Sequence, residues 1–547
     1  MWSMPATAIA PERQAREVVA CGLVAAVAAS IAVLVLPRGG DLAAHLYRTG
    51  LVRHGILVWD NLWFAGQYPL ASYSLLYYPL AAVVGNAVLG VAGAGAAAAI
   101  FASVATREWR SAGRWPARAF AVLLAGQAFT AAYPYDLGLA TLLGTIWALQ
   151  RGRARLAALC TLLTLGFSPL AFLFLGLALV ALLLHRRQVN RAVVAVGVAV
   201  VFAAGVQLAF LVELPSPGLI YPYGIWRLLA GLCVAGLGVA LSLRARGASA
   251  LASLFGVWAA ASVVVYLVPS PIGHNLVRAS VFVFPLMLVT AALAEFRPRR
   301  LAITATLAAL AANVLPYAPM IADRASSAGS QLSYWRPILG FLGRHRSEAG
   351  FRVEVVPTAN HWEAYYLPTA GFALARGWYR QLDIADNPAL YAPRLTAPLY
   401  RAWLRSRAVR YVVLTDLPPE AVDAPREARL LRSADSGLRK VWHDRTASIY
   451  ELPRPTPILT GPGDAAITTL GASRISGRVK RAGVYLLRVH YTRYWTVVRG
   501  SLCLAPSATA MTLLDIRNAG RITITAIESP AGLLTAIFDH DRNVCRP

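Results

Sequence analysis

The sequence predicts a polytopic α-helical membrane protein with about eleven spans, followed by extracytoplasmic α/β and β-sandwich-like domains. Three observations lead to this fold class. The 547 residues are 57% hydrophobic and only 14% charged, whereas soluble chains usually carry about a quarter charged residues. Several apolar runs approach or exceed the ~20 residues that cross a bilayer. After residue 320, short alternating runs of Val, Ile, Tyr and Leu indicate strands.

The net charge of +26 comes almost entirely from arginine. Such a charge suits a nucleic-acid binder, but most arginines of the first 320 residues stand in short loops between apolar runs. This distribution follows the positive-inside rule. We therefore expect the lipid bilayer as a partner and no nucleic acid. Arg13 and Arg16 precede the first apolar run, so the N-terminus is expected in the cytoplasm of a multi-pass plasma-membrane protein.

Apolar runs and their breaks predict the elements of a transmembrane domain over 1–320. A first helix at about 17–36 is followed by an amphipathic interfacial helix over 41–55. Pro79 and Gly85 interrupt the long run 70–105, which predicts one span near 84–105 and a re-entrant or interfacial segment over 70–83. Ser168 and Pro169 divide 156–184 into two short segments. The other spans are expected at 118–133, 137–150, 190–212, 225–243, 249–268, 279–296 and 301–320.

This order sorts the charges. Every arginine cluster between spans falls inside, including RPRR at 297–300. The residues expected on the outer face are Asp41, Asp60, Asp136, Glu213 and His274. The C-terminal domains are therefore expected outside the cytoplasm.

Those C-terminal domains are an α/β domain over 321–455 and a β-rich domain over 456–547. Period-2 alternation predicts strands at 351–357, 409–416, 447–452, 483–491 and 520–527. Helices are expected at 333–346 and 388–408. Cys503 and Cys545 are candidates for one disulfide, provided that this region is extracytoplasmic.

The main candidate for chemistry is Asp41, just after the first helix. Its carboxylate suits a general base or a metal ligand, and it equally suits a helix N-cap. His45 and Arg48 follow at i+4 and i+7, so the three share one helical face. That face could meet an acceptor hydroxyl and a phosphate, or it could be a solvated salt-bridge face. In the same loop, Asp60 and Trp63 are candidate substrate-binding residues, with a turn as the alternative for Asp60.

A second group of candidate substrate-binding residues comes later. His274, Asn275 and Arg278 belong to the loop GHNLVR, and Arg278 suits an anionic pyrophosphate or phosphate, or snorkels to lipid headgroups. Asp136 in YPYD is a further candidate, with an N-cap as its alternative. The stretches HWEAYYLP at 361–368 and ARGWYRQLD at 375–383 suit sugars or anionic ligands, or ordinary domain cores.

Motifs of other enzyme classes are missing from the sequence. It contains no nucleophile elbow, Walker loop, HExxH or GxGxxG in a strand–helix context. This argues against a hydrolase, an ATPase and a dehydrogenase.

Several motifs resemble known families. GDLAAHLYR, an acid just beyond the first helix, resembles the GT-C class of integral-membrane glycosyltransferases. More narrowly, GD-x3-H-x2-R, W-x3-G-x-PL and YYPL, with GHNLVR, HWEAYYLP, ARGWYRQLD and YVVLTD, resemble an actinobacterial-type family of multi-pass proteins. That family is labelled "6-pyruvoyl-tetrahydropterin synthase-related membrane protein", a label that need not imply pterin chemistry.

The GT-C resemblance implies a polyprenyl-phosphate sugar donor and an extracytoplasmic glycan, lipid or protein acceptor. It implies that Asp41 acts as base or metal ligand, with Mg²⁺ or Mn²⁺ as the candidate cofactor. GT-C enzymes often carry paired acids here, whereas this chain has the single acid of Gly40–Asp41. The function expected is glycosyl transfer with Asp41 and His45 as catalytic residues. The alternative is a non-enzymatic carrier or assembly protein for cell-envelope lipids or glycolipids.

Overall fold

A computed structural model of the chain describes residues 10–35, 40–70, 73–186, 190–213, 221–245, 248–293, 328–347, 350–420, 422–529, 531–532 and 545. The chain divides into two compact units. The first, called the helical unit, comprises Met1–Gly39, Tyr73–Val212 and Leu219–Asp323. The second, called the mixed unit, comprises Gly40–Ser72, Glu213–Gly218 and Arg324–Pro547.

Apolar helices build the helical unit, whereas α2 (Gly40–Arg53) belongs to the mixed unit. They are α1 (Pro11–Val35), α3 (Tyr77–Val84), α4 (Asn86–Trp109), α5 (Arg114–Phe129), α6 (Tyr133–Gln150), α7 (Ala154–Phe167), α8 (Pro169–Arg186), α9 (Arg191–Glu213), α10 (Ile225–Arg244), α11 (Ser249–Leu267) and α12 (Ser280–Leu293). In the described part of the chain, six helical segments are long and apolar enough to cross a membrane, and α7 and α8 are shorter apolar helices. The chain is therefore a helical membrane protein.

The predicted helix breaks are partly confirmed. Ser168 separates α7 from α8, and Gly85, with a φ of +97°, separates α3 from α4. The break expected at Pro79 is wrong, because Pro79 lies in the first turn of α3, where a missing N–H costs no helical hydrogen bond. The span expected at 301–320 and the RPRR loop lie outside the described residues.

Small residues allow the helices of this unit to approach closely. A Cβ on Gly22 of α1 would lie 3.1 Å from Cβ of Ala99 in α4, and one on Gly95 would lie 3.2 Å from Cβ of Ala26. Small residues at helix contacts are typical of membrane packing. Near the start of α1, the buried Glu17 pairs with Arg114 of α5 at 3.1 Å.

The mixed unit contains α2 (Gly40–Arg53) and the helices after residue 328. These are α13 (Leu332–Arg344), α14 (Glu363–Thr369), α15 (Arg380–Asp386), α16 (Pro388–Tyr391), α17 (Ala397–Ser406) and α18 (Ala424–Arg432). The helix expected over 388–408 is wrong as a single element, because residues 392–396 are not helical. Pro393 stands in this break, and proline disfavours helical conformation in the residue before it.

Twelve described strands form three four-stranded sheets. They are β1 (Arg352–Val355), β2 (Val409–Thr415), β3 (Arg439–His443), β4 (Ala447–Glu451), β5 (Leu459–Thr460), β6 (Ala465–Leu470), β7 (Arg474–Val479), β8 (Gly483–His490), β9 (Trp495–Arg499), β10 (Leu502–Pro506), β11 (Met511–Ile516) and β12 (Gly520–Ala526). The first sheet, β1-β2-β4-β3, has a parallel β1–β2 pair, whereas β10-β11-β8-β5 and β6-β7-β12-β9 are antiparallel. The five predicted strands are confirmed, and Cys503 and Cys545 form a disulfide.

The stretch Gly40–Ser72 is built into the mixed unit. Val58, Trp59 and Tyr68 belong to the hydrophobic core formed by β5–β12. The Glu528 carboxylate accepts the backbone N–H groups of Val58 at 2.7 Å and Trp59 at 3.3 Å. The backbone at Val58 is thus held by a side chain 470 positions later in the chain.

Candidate site on helix α2

Helix α2 carries the first group of candidate residues on one face. The helix begins at Gly40, and Asp41 lies in its first turn. His45 and Arg48 follow one and two turns later, and both are 2% exposed. Asp41 is half-buried.

The Asp41 carboxylate is oriented by a tryptophan from the distant sequence. Trp378 Nε1 donates a hydrogen bond to Asp41 Oδ1 at 3.1 Å. Trp378 lies in the segment between β1 and α15, which the chain brings against α2. An indole N–H is a donor only, so it favours an acceptor such as a carboxylate at this position.

A histidine stacks on the same tryptophan. The rings of His361 and Trp378 lie 3.5 Å apart at 13°. His361 Nδ1 lies 3.3 Å from Glu363 Oε1, and Glu363 accepts the backbone N–H and hydroxyl of Thr358 at 3.2 and 2.7 Å. His361 has a φ of +52°, which is uncommon for a residue with a side chain. The His361 ring is therefore held by Trp378 on its face and by Glu363 at Nδ1.

Arg48 lies among aromatic rings. Its guanidinium carbon is 5.7 Å from the ring centroids of both Trp63 and Tyr379, within the range of cation–π attraction. Trp63 is fully buried, stacks on Tyr47 at 4.6 Å and donates to the Ala364 carbonyl at 3.0 Å. These contacts place a cation and several aromatic faces close to one another.

Asp60 has the contacts of a residue that stabilises its loop. Its Oδ1 accepts the Tyr47 hydroxyl and the Leu62 N–H, each at 3.0 Å. Burial raises the pKa of Asp60 to about 6, and burial together with the charge of Asp60 raises the pKa of Tyr47 well above its usual range. This arrangement matches the turn alternative.

The second group of candidates lies in the helical unit. Asp136 is fully buried in the first turn of α6, and the structure gives its two carboxylate oxygens no hydrogen-bond partner among the described residues. The Arg278 guanidinium carbon lies 5.7 Å from the Tyr135 ring centroid, and the Arg278 charge acts on Asp136. The N-cap alternative for Asp136 is wrong, because α6 begins at Tyr133 with Ala132 as its N-cap.

His274 and Asn275 lie in a 3-10 turn over Gly273–Ala279 that also carries Arg278. The His274 ring is 5.2 Å from that of Tyr221. The candidate residues therefore fall into two groups. Asp41, His45, Arg48, Asp60 and Trp63 lie in the mixed unit, and Asp136, His274, Asn275 and Arg278 lie in the helical unit.

Among the described residues, Asp41 does not belong to a group of three potential metal ligands. Within the described ranges, Cys503, Asp515 and Cys545 are the one group of three with ligand spacing. Two of these side chains are joined in a disulfide, so their sulfurs are not thiolate ligands. At Asp41, Oδ1 accepts the Trp378 N–H, and a divalent metal at this carboxylate stays a prediction.

Three residues of the α2 site were not among the predicted site residues: His361, Glu363 and Trp378. Their stretches were singled out for their density of aromatic residues and arginine, but with a domain core as the alternative. The local composition of these two stretches therefore indicated a possible binding site. Trp378 and Asp41 are 337 positions apart. No local sequence pattern predicts that these two residues form a hydrogen bond.

Comparison with protein-family models and with curated proteins finds no match for this chain. The fold alone defines the class at this point: a helical membrane protein with a β-rich C-terminal region.

Proposed function

We propose that this protein is a membrane glycosyltransferase of GT-C-like architecture. It moves a sugar from a polyprenyl-phosphate donor to a cell-envelope acceptor, which is a glycan, a lipid or a protein. The observation that carries the proposal is the half-buried Asp41 carboxylate, held by Trp378 and followed on the same helical face by Arg48. A carboxylate accepts a hydroxyl proton, and a guanidinium binds phosphate.

The proposed reaction is a single displacement. The acceptor hydroxyl oxygen attacks the anomeric carbon, the bond from that carbon to the phosphate oxygen breaks, and polyprenyl phosphate leaves with the electron pair. Asp41 takes the hydroxyl proton, with His45 assisting one turn further along α2. Arg48 stabilises the negative charge that develops on the leaving phosphate. Trp378 fixes the orientation of the Asp41 carboxylate. Glu363 fixes the His361 ring, which stacks on Trp378.

The proposal also includes a membrane topology with more spans than the six long apolar segments. About eleven spans would place the N-terminus in the cytoplasm and the mixed unit on the extracytoplasmic face of the plasma membrane. The sorting of arginine clusters and acidic loops in the sequence supports this orientation. The acceptor would then be reached from outside the cell.

The test is Asp41→Asn in the purified full-length protein, assayed for release of polyprenyl phosphate. The probes are polyprenyl-phosphate glucose, mannose and arabinose, supplied with a cell-envelope extract as acceptor. We expect turnover to fall by about 10²-fold or more, because a general base typically contributes that much. Trp378→Phe, which keeps the ring and removes the N–H, should give a smaller fall of about 10-fold.

Asp464→Asn is the matched control, because Asp464 is an exposed carboxylate that pairs with Lys480 at the surface. It should leave turnover unchanged. The thermal midpoint of each variant shows whether the fold is kept. Full activity in folded Asp41→Asn would refute the mechanism.

The carrier function is the second candidate, and the buried Asp136 favours it, because ionisable residues inside membrane domains often mark transport paths. Mass spectrometry of co-purified lipids separates the two functions. A polyprenyl-phosphate sugar supports the transferase, whereas a bulk glycolipid or phospholipid with no turnover of any probe supports the carrier.

A further inference from the structure

The sheet β6-β7-β12-β9 has one face on the hydrophobic core formed by β5–β12 and one face turned away from that core. Successive side chains of a strand point to opposite faces of its sheet. In β7 and β12, residues of the core alternate with residues that lie outside it. The register of the sheet places four exposed arginines together on the outward face, here called the arginine face: Arg474, Arg478, Arg499 and Arg521.

The arginines flank a pair of hydroxyl groups. Arg478 of β7 and Arg521 of β12 lie directly opposite each other in the antiparallel pair. Two residues further along, Ser476 lies opposite Thr523, and the two hydroxyl oxygens are 3.0 Å apart. On the other side of β12, Thr523 is also paired with Arg499 of β9. These side chains therefore form one polar surface across three strands.

Among the residues that the structure describes, no carboxylate forms an ion pair with the four arginines of this face. The strands β6, β7, β9 and β12 contain no acidic residue. The first sheet of the same unit differs, because Arg439 of β3 lies opposite Glu451 of β4 and pairs with it at 2.6 Å. Exposed arginines are thus matched by an acid in one sheet and by another arginine in the other.

The direct pairing of two arginines has an energetic consequence. Like charges that face each other across an antiparallel pair destabilise the sheet. An anion bound between the guanidinium groups of Arg478 and Arg521 would relieve this repulsion. The planar fork of arginine binds carboxylate and phosphate groups with two hydrogen bonds. The arginine face is therefore suited to an anionic ligand.

The extent of the arginine face favours a chain with repeated charges over a single ion. Arg474 and Arg478 are four residues apart on β7, which corresponds to about 13 Å along a strand. Arg521 and Arg499 continue the face onto β12 and β9. A linear polyanion would place several of its charged groups across these three strands.

Two observations favour a polysaccharide over a nucleic acid as this polyanion. Trp495 is the one aromatic residue of the four strands, and it is buried in the core. The arginine face therefore has no ring on which a base could stack, whereas stacking is typical of sites for single-stranded nucleic acid. Cys503 and Cys545 of the same β-rich region form a disulfide, and disulfides persist in oxidising compartments outside the cytoplasm.

We propose that the arginine face binds an acidic polysaccharide of the cell envelope, a linear glycan with acidic groups on successive sugars. Arg478 and Arg521 share one acidic group, and Arg474 and Arg499 contact acidic groups further along the chain. The hydroxyl group of Ser476 contacts the sugars between them. This binding goes beyond sugar transfer, because none of the four strands contributes a residue to the α2 site.

Fluorescence anisotropy with the full-length protein in detergent micelles tests this binding without a sugar donor. The probe is a fluorescent oligogalacturonate, and its methyl ester is the comparison, since it has the same sugar chain without the charges. We expect the acidic probe to bind about 10-fold more tightly or better, equivalent to about 1.4 kcal/mol of binding. Its affinity should fall as the salt concentration rises. Equal affinity for the two probes, or no binding of the acidic one, would overturn the proposal.

The double variant Arg478→Gln, Arg521→Gln removes the facing pair and should lower the affinity for oligogalacturonate by about 10-fold. The matched control is the double variant Arg336→Gln, Arg439→Gln, which removes the same charge from exposed arginines of α13 and β3. This control should keep the wild-type affinity. Equal losses in the two double variants would show that the net charge of the chain attracts the probe, and would refute a site on this face.

Thermal melting separates lost binding from lost structure. Because Arg478 and Arg521 face each other, the single variant Arg521→Gln should melt at or above the wild-type temperature while it binds oligogalacturonate more weakly. A lower melting temperature would show that Arg521 stabilises the sheet, and would contradict the repulsion on which the site depends.

Single-stranded oligodeoxythymidine of equal net charge tests the class of polyanion. It should displace the bound oligogalacturonate only at a higher concentration, because the arginine face offers its bases no aromatic ring. Displacement at an equal or lower concentration would assign the face to nucleic acid and reject the polysaccharide.

Discussion

Buried carboxylates differ between the two units in their hydrogen-bond and ion-pair partners. In the mixed unit, Arg376 is surrounded by four carboxylates, and strong hydrogen bonds join it to three of them. In the helical unit, Asp136 is equally buried, yet neither of its oxygens has a hydrogen-bond partner among the described residues. Carboxylates that share a buried cation stabilise the fold, whereas a buried carboxylate whose oxygens have no hydrogen-bond partner among the described residues is a candidate for function.

The Arg376 cluster joins four segments of the mixed unit. Arg376 donates to Glu354 of β1 at 2.6 Å, and to Asp423 and Glu427 at the start of α18, each at 2.6 Å. Asp383 of α15 lies 3.6 Å from the guanidinium. Burial raises the pKa values of Glu354, Asp383 and Glu427, while the arginines beside Asp423 hold its pKa below the usual range. Arg376 stands two residues before Trp378 in the chain. The cluster therefore holds in place the segment whose Trp378 donates to Asp41.

The largest effect expected from this comparison is that of Arg376→Met. The substitution leaves several buried carboxylates without their shared cation, and removing one partner of a buried ion pair typically costs about 3–5 kcal/mol. The thermal midpoint of the purified protein should fall sharply, or the variant should fail to fold. Arg439→Met is the control, because this arginine is 74% exposed in its pair with Glu451. A stability equal to the wild type in Arg376→Met would show that the cluster is not structural.

Glu528 and Asp60 represent an intermediate case, because both accept backbone N–H groups and Asp60 also accepts the Tyr47 hydroxyl. Burial raises the pKa of Glu528 to about 7 and that of Asp60 to about 6. The folded chain therefore holds these protons more tightly than the unfolded chain. Their contribution to stability is complete below the ordinary carboxyl pKa and is lost as the pH rises through about 6 to 7.

Glu528→Gln isolates half of this effect. Relative to the variant, the wild type should lose about 2 kcal/mol of stability between about pH 5 and pH 8, from the raised pKa of Glu528. Thermal melting of both proteins across this range measures the difference. Asp464→Asn should leave the pH profile of the wild type unchanged over the same interval. Parallel profiles for wild type and Glu528→Gln would contradict the raised pKa.

The sequence predicted the features that depend on local properties of the chain. Apolar runs predicted most helices of the helical unit within a few residues, because helix length and composition are local properties. The breaks at Gly85 and Ser168 were equally visible, since backbone preferences act over one or two residues. The single helix expected over 388–408 was wrong because residues 392–396, around Pro393, are not helical.

The candidate site was predictable only in part. The i, i+4, i+7 spacing of Asp41, His45 and Arg48 on one helix follows from local geometry. The contacts with Trp378 and His361 depend on how Gly40–Ser72 folds into the mixed unit, and a single sequence does not encode such pairings locally. Short strands such as β5 and β9 were missed for the same reason, since their pairing partners define them more than their own pattern.

Asp136→Asn is expected to have the smallest effect on stability and is the most direct test of the comparison. Asparagine keeps the shape of the side chain and replaces a carboxyl group that has no hydrogen-bond partner among the described residues, while Arg278 loses its interaction with that carboxyl group. These effects oppose each other, so the free energy of unfolding should change by less than about 1 kcal/mol. Asp423→Asn, in the paired cluster, should cost about 2–3 kcal/mol by the same assay. If Asp136→Asn is as destabilising as Asp423→Asn, Asp136 is a structural ion-pair partner like the carboxylates around Arg376. If it is neutral for stability but lowers sugar transfer or lipid recovery, the unmatched carboxylate is part of a functional site.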